Sequence, residues 1–347
     1  MALWCDKDRP RSFSRLRYNQ NIGINLTNIV KVGDFPHVLI YGPNGAGKKT
    51  LITCILRELY GTGSENIKRG TQYFQTISGR RLELQTFTSN YHIQLKPSEV
   101  GVQDRLVVQE VIKDMAQTKQ INPQAQKHFK VVVLMEVDAL TRDAQDALRR
   151  TMEKYAATCR LILCCESLNK VSEPLRSRCT LVRIPAPSDE EVLELQLHSN
   201  NVSLNEEIVG GIVKKVKGNM RLGLLLAQAA ANYRKDQKIF DLDWEVYIRE
   251  TAKLILRDQT SECLLKVRER IYECLAHCIP ADTIFVKLVR ELLPYCDGQI
   301  KAEVVAAAAK FEHRLGLGSK AIFHIEAFIA TFMAVYYRQL KECTEDL

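Results

Sequence analysis

From Pro36 to about Ala186 the chain alternates short, uniformly apolar runs with longer segments of helical spacing. His37-Val38-Leu39-Ile40-Tyr41, Val131-Val132-Val133-Leu134 and Leu161-Ile162-Leu163-Cys164 carry no regular polar positions, so neither face of these runs suits water. Runs of this kind build parallel strands covered on both sides. Between them, Thr50–Leu59, Asp104–Gln117 and Asp143–Tyr155 read as helices with one apolar face. The alternation predicts an α/β domain with a doubly wound parallel sheet. A further strand, Leu181-Val182-Arg183-Ile184, closes the region before Pro185-Ala186-Pro187.

Beyond Pro187 the pattern changes. Ser188 followed by Glu191 is a capping box, the signature of a helix start. Nothing after it reads as a strand, and residues 188–235 predict a bundle of three or four helices. A polar stretch at Asn232–Asp243 separates a third region, helical from Trp244 to Cys343, with Ala302–Ala309 and Ala321–Tyr337 as its clearest segments. The expected division is 1–186, 187–240 and 241–347.

Length and composition fit this plan. At about 100–200 residues per domain, 347 residues suit two or three domains. With 46% hydrophobic and 26% charged residues, the chain has enough apolar surface to fold. No apolar run approaches the roughly 18–20 residues of a membrane helix, and the start, Met1-Ala2-Leu3-Trp4-Cys5-Asp6-Lys7, lacks the apolar core of a signal peptide. A soluble intracellular protein without a membrane partner is expected. The eleven cysteines are irregularly spaced, which predicts reduced, packed thiols. Cys164-Cys165 should face opposite sides of a strand. Cys274, His277 and Cys278 have helical spacing but lack a fourth ligand for a closed zinc site, so no metal site is expected there.

The net charge of +8 is unevenly placed. Residues 1–100 hold fourteen Lys and Arg against seven Asp and Glu, while the rest is nearly balanced. A local basic excess suits a polyanion such as nucleotide or DNA, or else a solvated basic face.

The motif in that basic region is specific. Gly42-Pro43-Asn44-Gly45-Ala46-Gly47-Lys48-Lys49-Thr50 follows a strand and opens a helix. Its glycines let backbone N–H groups curl around phosphate, the helix N-terminus adds positive potential, and Lys48 reaches the β- and γ-phosphates. This P-loop predicts ATP or ADP as ligand. The pattern wants Ser or Thr directly after the lysine to hold Mg²⁺. Lys49 stands there, and Thr50 comes one residue late. The second element should be Asp-Glu at the end of a buried strand, Asp for the magnesium shell and Glu to polarise water. Here Met135-Glu136 follows Val131–Leu134. Only Glu136 remains, in the place of a general base, so Mg²⁺ is expected to be weak or absent and hydrolysis inefficient.

Several further segments carry a resemblance: Leu3-Trp4 with Asp6-Lys7 and Arg9-Pro10, Ser89-Asn90-Tyr91-His92, Ala147-Leu148-Arg149-Arg150-Thr151-Met152-Glu153-Lys154-Tyr155, and Ser177-Arg178-Cys179. To these are added Glu312-His313-Arg314-Leu315, Leu317-Gly318, Lys320-Ala321-Ile322 and Glu326-Ala327-Phe328. Together they resemble the small subunits of the replication factor C family of AAA+ sliding-clamp loaders. The resemblance implies a P-loop AAA+ domain with a parallel sheet, a helical lid, and an all-α C-terminal collar that joins five subunits in a ring. It implies as partners a large subunit and three further small subunits, the sliding clamp proliferating cell nuclear antigen, and primer–template DNA, all in the nucleus. Such a ring uses ATP to load the clamp for DNA replication and repair.

Carried over by position, Lys48 resembles the phosphate lysine, Thr50 a flanking hydroxyl and Arg221 the lid arginine that senses phosphate. Arg9 and Pro10 lie in the segment bordering the adenine. Arg105 resembles a contact to DNA phosphates, or else a surface charge. Arg178 resembles an arginine that completes a neighbour's ATPase site in trans; the plainer alternative is pairing with a local carboxylate such as Glu173. Lys49 matches this subunit type. Cys5 and Asp8 depart from the usual Val and Tyr near the base, and Glu166 replaces an Asn that contacts the γ-phosphate. A carboxylate facing phosphate repels it unless a cation intervenes. Two alternatives stay open at this point: ATP hydrolysis at the chain's own site, and a structural paralogue that binds no nucleotide.

Overall fold

A computed structural model describes residues 3–75, 81–117, 129–192, 206–232, 241–318 and 320–345. The chain forms two compact units, residues 1–239 and 240–347.

The first unit is built on one seven-stranded sheet of order β2-β3-β4-β5-β6-β1-β7. Its strands are β1 (Val38–Tyr41), β2 (Lys68–Gln75), β3 (Arg81–Thr88), β4 (His92–Leu95), β5 (Lys130–Leu134), β6 (Cys159–Cys165) and β7 (Thr180–Arg183). β4, β5, β6, β1 and β7 run parallel. The apolar runs form the middle of this group because both of their faces are covered. On one side, α2 (Gln20–Lys31) and α3 (Lys48–Tyr60) bury Leu26, Val30, Ile52 and Ile55 against Val38, Ile40, Val133 and Cys164. On the other, α4 (Asp104–Gln117) and α5 (Arg142–Lys154) bury Val107, Val111 and Leu148 against Leu39, Val132, Leu163 and Cys165. Cys164 and Cys165 therefore enter opposite cores, as their adjacency on a strand requires.

The sheet is not wholly parallel. β2 and β3 form an antiparallel hairpin that joins β4 at one edge. The sequence pattern does not announce them. Lys-Arg-Gly-Thr-Gln-Tyr-Phe-Gln, the sequence of β2, is polar because this edge faces water, with Phe74 turned in and Tyr73 exposed. Helix α2 also goes unread, since three Asn and a Gly interrupt its apolar positions.

After β7, the amide of Ser188 donates to Glu191 Oε2 at 2.8 Å and the amide of Glu191 donates to Ser188 Oγ at 3.2 Å, the reciprocal bonds of the capping box. Residues 193–205 and 233–240 of the expected bundle and separator lie outside the described residues. Helices α6 (Glu173–Arg176), α7 (Glu206–Val216) and α8 (Met220–Asn232) also belong to the described residues of the first unit. α7 and α8 share a small apolar core, and Trp4 of the short helix α1 (Trp4–Lys7) packs on it. The Trp4 amide also donates to Gln228 Oε1 at 3.0 Å, fastening the N-terminal segment to α8.

The second unit is helical throughout its described residues: α9 (Asp243–Arg257), α10 (Ser261–Ala276), α11 (Ala281–Leu292), α12 (Gly298–Leu317) and α13 (Ala321–Glu345). Its core centres on Phe285, Phe328 and Phe332, with ring centres 4.9 and 6.5 Å apart along that series. Cys274 lies in this core, whereas Cys278 is exposed.

Candidate functional site

The phosphate cradle follows from how β1 meets α3. β1 ends at Tyr41, and α3 begins at Lys48, so residues 42–47 must reverse direction within one short loop. Gly45 (φ 77°) and Gly47 (φ 91°) take the left-handed backbone that side chains disfavour. Space matters as much as angle. A Cβ on Gly45 would stand 1.9 Å from Asn219 Oδ1, and one on Gly47 would stand 2.8 Å from the Tyr18 hydroxyl. The first turn of α3 leaves its N–H groups without intrahelical partners and directs the positive end of the helix into the loop. Lys48 Nζ donates to the carbonyls of Gly42 and Pro43 at 2.6 and 2.9 Å, folded over the cradle it would share with phosphate.

A cavity of about 670 Å³ opens beside the loop. Cys5, Asp8, Arg9, Pro10, Tyr18, Ala46, Gly47, Thr50, Ile184, Met220 and Leu224 line it, so four separate stretches of the first unit meet there. Arg9, Pro10 and Thr50 are thus brought to one space with the P-loop, and Arg221 follows the lining residue Met220. Arg9 pairs with Asp6 at 3.3 Å. The Pro10 carbonyl accepts from the Cys54 thiol at 3.7 Å. A nucleotide's phosphates fit the form of this loop, whose left-handed Gly45 and Gly47 turn the backbone into the N-terminus of α3 beside the cavity.

The acidic side is built differently. The register Leu95↔Leu134 of β4 and β5 sets Lys96 and Met135-Glu136 side by side at the sheet's carboxyl edge. Lys96 Nζ lies 2.9 Å from Glu136 Oε2, and Ser98 Oγ donates to the same oxygen at 3.5 Å. Glu136 itself holds φ 55°, a costly backbone for a residue with a side chain. Met135 packs against the apolar core under the P-loop. Asp138 accepts from the amides of Glu166 and Ser167 at 3.2 and 3.3 Å, which fixes the loop after β6. Among the described residues no three His, Cys, Asp or Glu side chains converge as a metal site would need. Lys49 and Met135 stand where a P-loop site carries its magnesium hydroxyl and carboxylate.

Lys49 is partnered by cations. Burial, and then the positive charges of Arg9 and Arg221, hold its pKa below the ordinary lysine value, with Asp6 opposing. Its Nζ stands 5.8 Å from the Phe87 ring centre on β3. Beneath the site, burial pushes the thiols of Cys164 and Cys165 up to about 12, so both stay protonated and inert.

Arg178 and Arg105 stand apart from the cavity lining. Arg178 follows α6 and is 30% exposed. Its Nε and Nη2 donate to Glu153 Oε1 on α5 at 2.9 and 2.6 Å, and Nη1 donates to the Pro174 carbonyl at 2.9 Å. The local partner is Glu153, not Glu173. Arg105 is exposed on α4 while its neighbour Asp104 is buried, accepting from the Thr141 amide and hydroxyl at 2.7 and 2.8 Å. Sequence reasoning missed Lys96, Glu153, Tyr18 and Asn219. Only strand order and loop packing bring them to the site, and no local motif marks them.

Comparison with known proteins agrees with this geometry. Residues 244–340 match the model described as replication factor C subunit 3, C-terminal domain, and residues 18–188 match DNA polymerase III, delta subunit. A DNA polymerase III gamma subunit-related protein of Thermotoga maritima shares the fold at TM-score 0.50 and 10% identity, over 90% of this chain and 99% of that one. Replication factor C subunit 3 of Mus musculus and of Homo sapiens are each 50% identical across all of this chain and 99% of theirs. The Arabidopsis thaliana protein of that name is 44% identical over 96% of this chain and 97% of its own. The fold is of AAA+ type, and the chain belongs to the replication factor C subunit 3 family.

Proposed function

We propose that this chain is a small subunit of a pentameric clamp loader that holds ATP or ADP, hydrolyses little of it, and serves its neighbours. Residues 1–186 would be the nucleotide-binding domain, 187–240 the lid and 241–347 the collar. One observation carries the reading of the site: the two positions expected to bind magnesium are Lys49 and Met135, while the glycine cradle and Lys48 are intact. The pairing of Glu136 with Lys96 supports it, since a carboxylate engaged by an ammonium is a poor base for water. In this reading residues 42–50, Arg9, Pro10 and Arg221 surround the nucleotide. ATP supplies the free energy for opening the ring where a neighbour's site hydrolyses it.

Arg178 would serve that neighbouring site. Its pair with Glu153 is half open to solvent, and such pairs contribute about 0–1 kcal/mol. A phosphate offered by an adjacent subunit outcompetes so weak a hold. The proposed partners are a large subunit and three further small subunits, the sliding clamp proliferating cell nuclear antigen, and primer–template DNA along Arg105, in the nucleus.

The test is a pair of variants in the reconstituted complex. Arg178→Ala should depress clamp- and DNA-stimulated turnover at the site it completes, by roughly 10³ if it acts as arginine fingers do, and slow clamp loading. Assembly and this chain's own nucleotide affinity should stay. Lys48→Ala should weaken nucleotide binding to this chain yet harm turnover less. The reverse order of damage places hydrolysis here and defeats the proposal.

A further inference from the structure

Residues 9–17, Arg-Pro-Arg-Ser-Phe-Ser-Arg-Leu-Arg, carry four arginines and no carboxylate. Within them Phe13–Arg15 form a short 3₁₀ turn, in which side chains three residues apart share a face. Phe13 and Leu16 accordingly turn inward, where a Cβ on Gly23 of α2 would meet them at 3.3 and 3.2 Å. Ser14, Arg15 and Arg17 are left exposed. Ser14 stands between two cavities. It lines the one beside the P-loop together with Arg9, Arg15 and Arg17, and a second of about 530 Å³ with Ser12, Thr27 and Lys31. Its hydroxyl lies 3.0 Å from that of Ser12. The four arginines are of two kinds. Arg9 pairs with Asp6 at 3.3 Å and Arg11 with Glu65 at 3.0 Å. Among the described residues no carboxylate pairs with Arg15 or Arg17. Two such guanidinium groups flanking an exposed hydroxyl form a seat for a phosphate carried by that hydroxyl.

We propose that Ser14 is a phosphorylation site, written by a serine/threonine kinase that reads arginine three residues before its target, and that Arg15 and Arg17 seat the phosphate. Arg11 is the residue read. Its side chain is 65% exposed, so its pair with Glu65 yields to a kinase's carboxylates. Ser12 has the same spacing from Arg9, but Arg9 is only 27% exposed and Ser12 is half-buried, which decides for Ser14. In the transfer, Ser14 Oγ bonds to the γ-phosphorus of the kinase's ATP as the bond to the β–γ bridging oxygen breaks. ADP leaves, and the hydroxyl proton goes to the kinase's catalytic aspartate. The new group carries about −1.5 to −2 charges at pH 7. It turns the basic mouth of the P-loop cavity acidic and opposes the phosphates of an entering nucleotide. The modification stands on the turn and its arginines alone, whereas its effect on the cavity rests on the nucleotide reading above.

The experiment treats the purified full-length chain with MgATP and each of three arginine-directed serine/threonine kinases, and maps the product by mass spectrometry. Phosphate is expected on Ser14, and Arg11→Ala should slow its incorporation about tenfold or more. Phosphorus-31 titration of the modified chain should place the second pKa of the phosphoserine below about 5.5, against its ordinary value of about 6. Arg15→Gln combined with Arg17→Gln should return it to that value. Calorimetry should show the modified chain binding ADP about tenfold more weakly than the unmodified one. No label on Ser14 with any of the kinases, or label on Ser12 in its place, overturns the site. A second pKa near 6 in the native sequence overturns the arginine seat. Unchanged ADP affinity overturns the effect on the cavity and leaves the nucleotide reading standing. An unmodified chain that binds no ADP overturns the nucleotide reading and leaves the site standing.

Discussion

The two units bury different things. The first carries His92, Asp104, Lys130, Gln145, Thr86 and Ser64 inside, whereas the second buries Thr251 and Gln339 among some two dozen apolar side chains. Two of the first unit's polar groups, Asp104 on α4 and Gln145 on α5, tie loops together. Asp104 accepts two hydrogen bonds from Thr141, whose hydroxyl in turn caps α5. Gln145 donates to the carbonyls of Leu140 and Lys170 and accepts from the Ser172 amide, which sets the loop leading to Arg178. Asp104 and Gln145 are thus satisfied by the segments that follow β5 and β6, so hydrogen bonds fix loops there that packing alone would leave free. In the second unit the buried polar groups tie helices instead: Thr251 donates to the Tyr247 carbonyl within α9 and accepts from Arg270 of α10, and Gln339 of α13 donates to Asp297 at the start of α12.

That contrast is broken most forcefully in the second core. Phe328 is fully buried and meets Phe285, Phe311 and Phe332. Truncating a buried Phe to Ala costs about 3–5 kcal/mol. Phe328→Ala should therefore strip hydrogen-exchange protection from α10, α11 and α13 and block assembly with partner subunits. The same protein should still bind ADP, because the cradle lies within residues 1–239. Equal loss of both would mean that the units do not fold independently.

A smaller effect, of opposite location, follows from the histidines. Burial lowers the pKa of His92 to about 4, and burial followed by the Arg160 charge does the same to His37. His37 Nδ1 accepts from the Leu161 amide at 3.0 Å, a bond that protonation would break. An unfolded histidine titrates near 6.5. Both groups therefore stabilise the fold fully above that value, and the stability falls as pH drops from 6.5 toward 4. Linkage gives about 3 kcal/mol for His92, and less for the more exposed His37. Hydrogen exchange at pH 6.5 and 4.5, corrected for intrinsic rates, should show β1, β4 and β6 losing protection while α13 keeps it. The second unit buries no histidine among its described residues. Uniform loss in both units would assign the acid sensitivity to carboxylates instead.

What the sequence makes legible divides along the same line. The buried strands, the flanking helices, the capping box at Ser188 and the P-loop are local signals, carried by residues adjacent in the chain. The β2–β3 hairpin escaped because a wet edge has polar strands. Lys96 beside Glu136 escaped because strand order, not spacing, sets them together, and Glu153 beside Arg178 because they are 25 residues apart, one on α5 and the other in the turn after α6. The positions that betray the site's chemistry, Lys49 and Met135, were visible as departures from a motif. The partners of Glu136 and Asp138, Lys96 and the loop after β6, needed the structure to be seen.

Glu136 gives the smallest expected effect and the sharpest one. It occupies the place of a general base, yet its carboxylate is held by Lys96 and Ser98. Glu136→Gln removes the charge and keeps the shape, including the left-handed backbone that both residues bear equally. Stability should change by under about 1 kcal/mol, since the pair with Lys96 is half exposed. Phosphate release by the isolated chain should change less than about twofold if, as proposed, no water is activated there. A general base removed from a working site costs roughly 10²–10⁴ in rate, so the two cases are far apart. Single-turnover assays on the isolated chain, with a few equivalents of radiolabelled ATP, separate them. If Glu136→Gln abolished a measurable rate, the acidic wall of the cleft would be a working one, and Lys96 would be a partner that hydrolysis displaces rather than a sign that hydrolysis is gone.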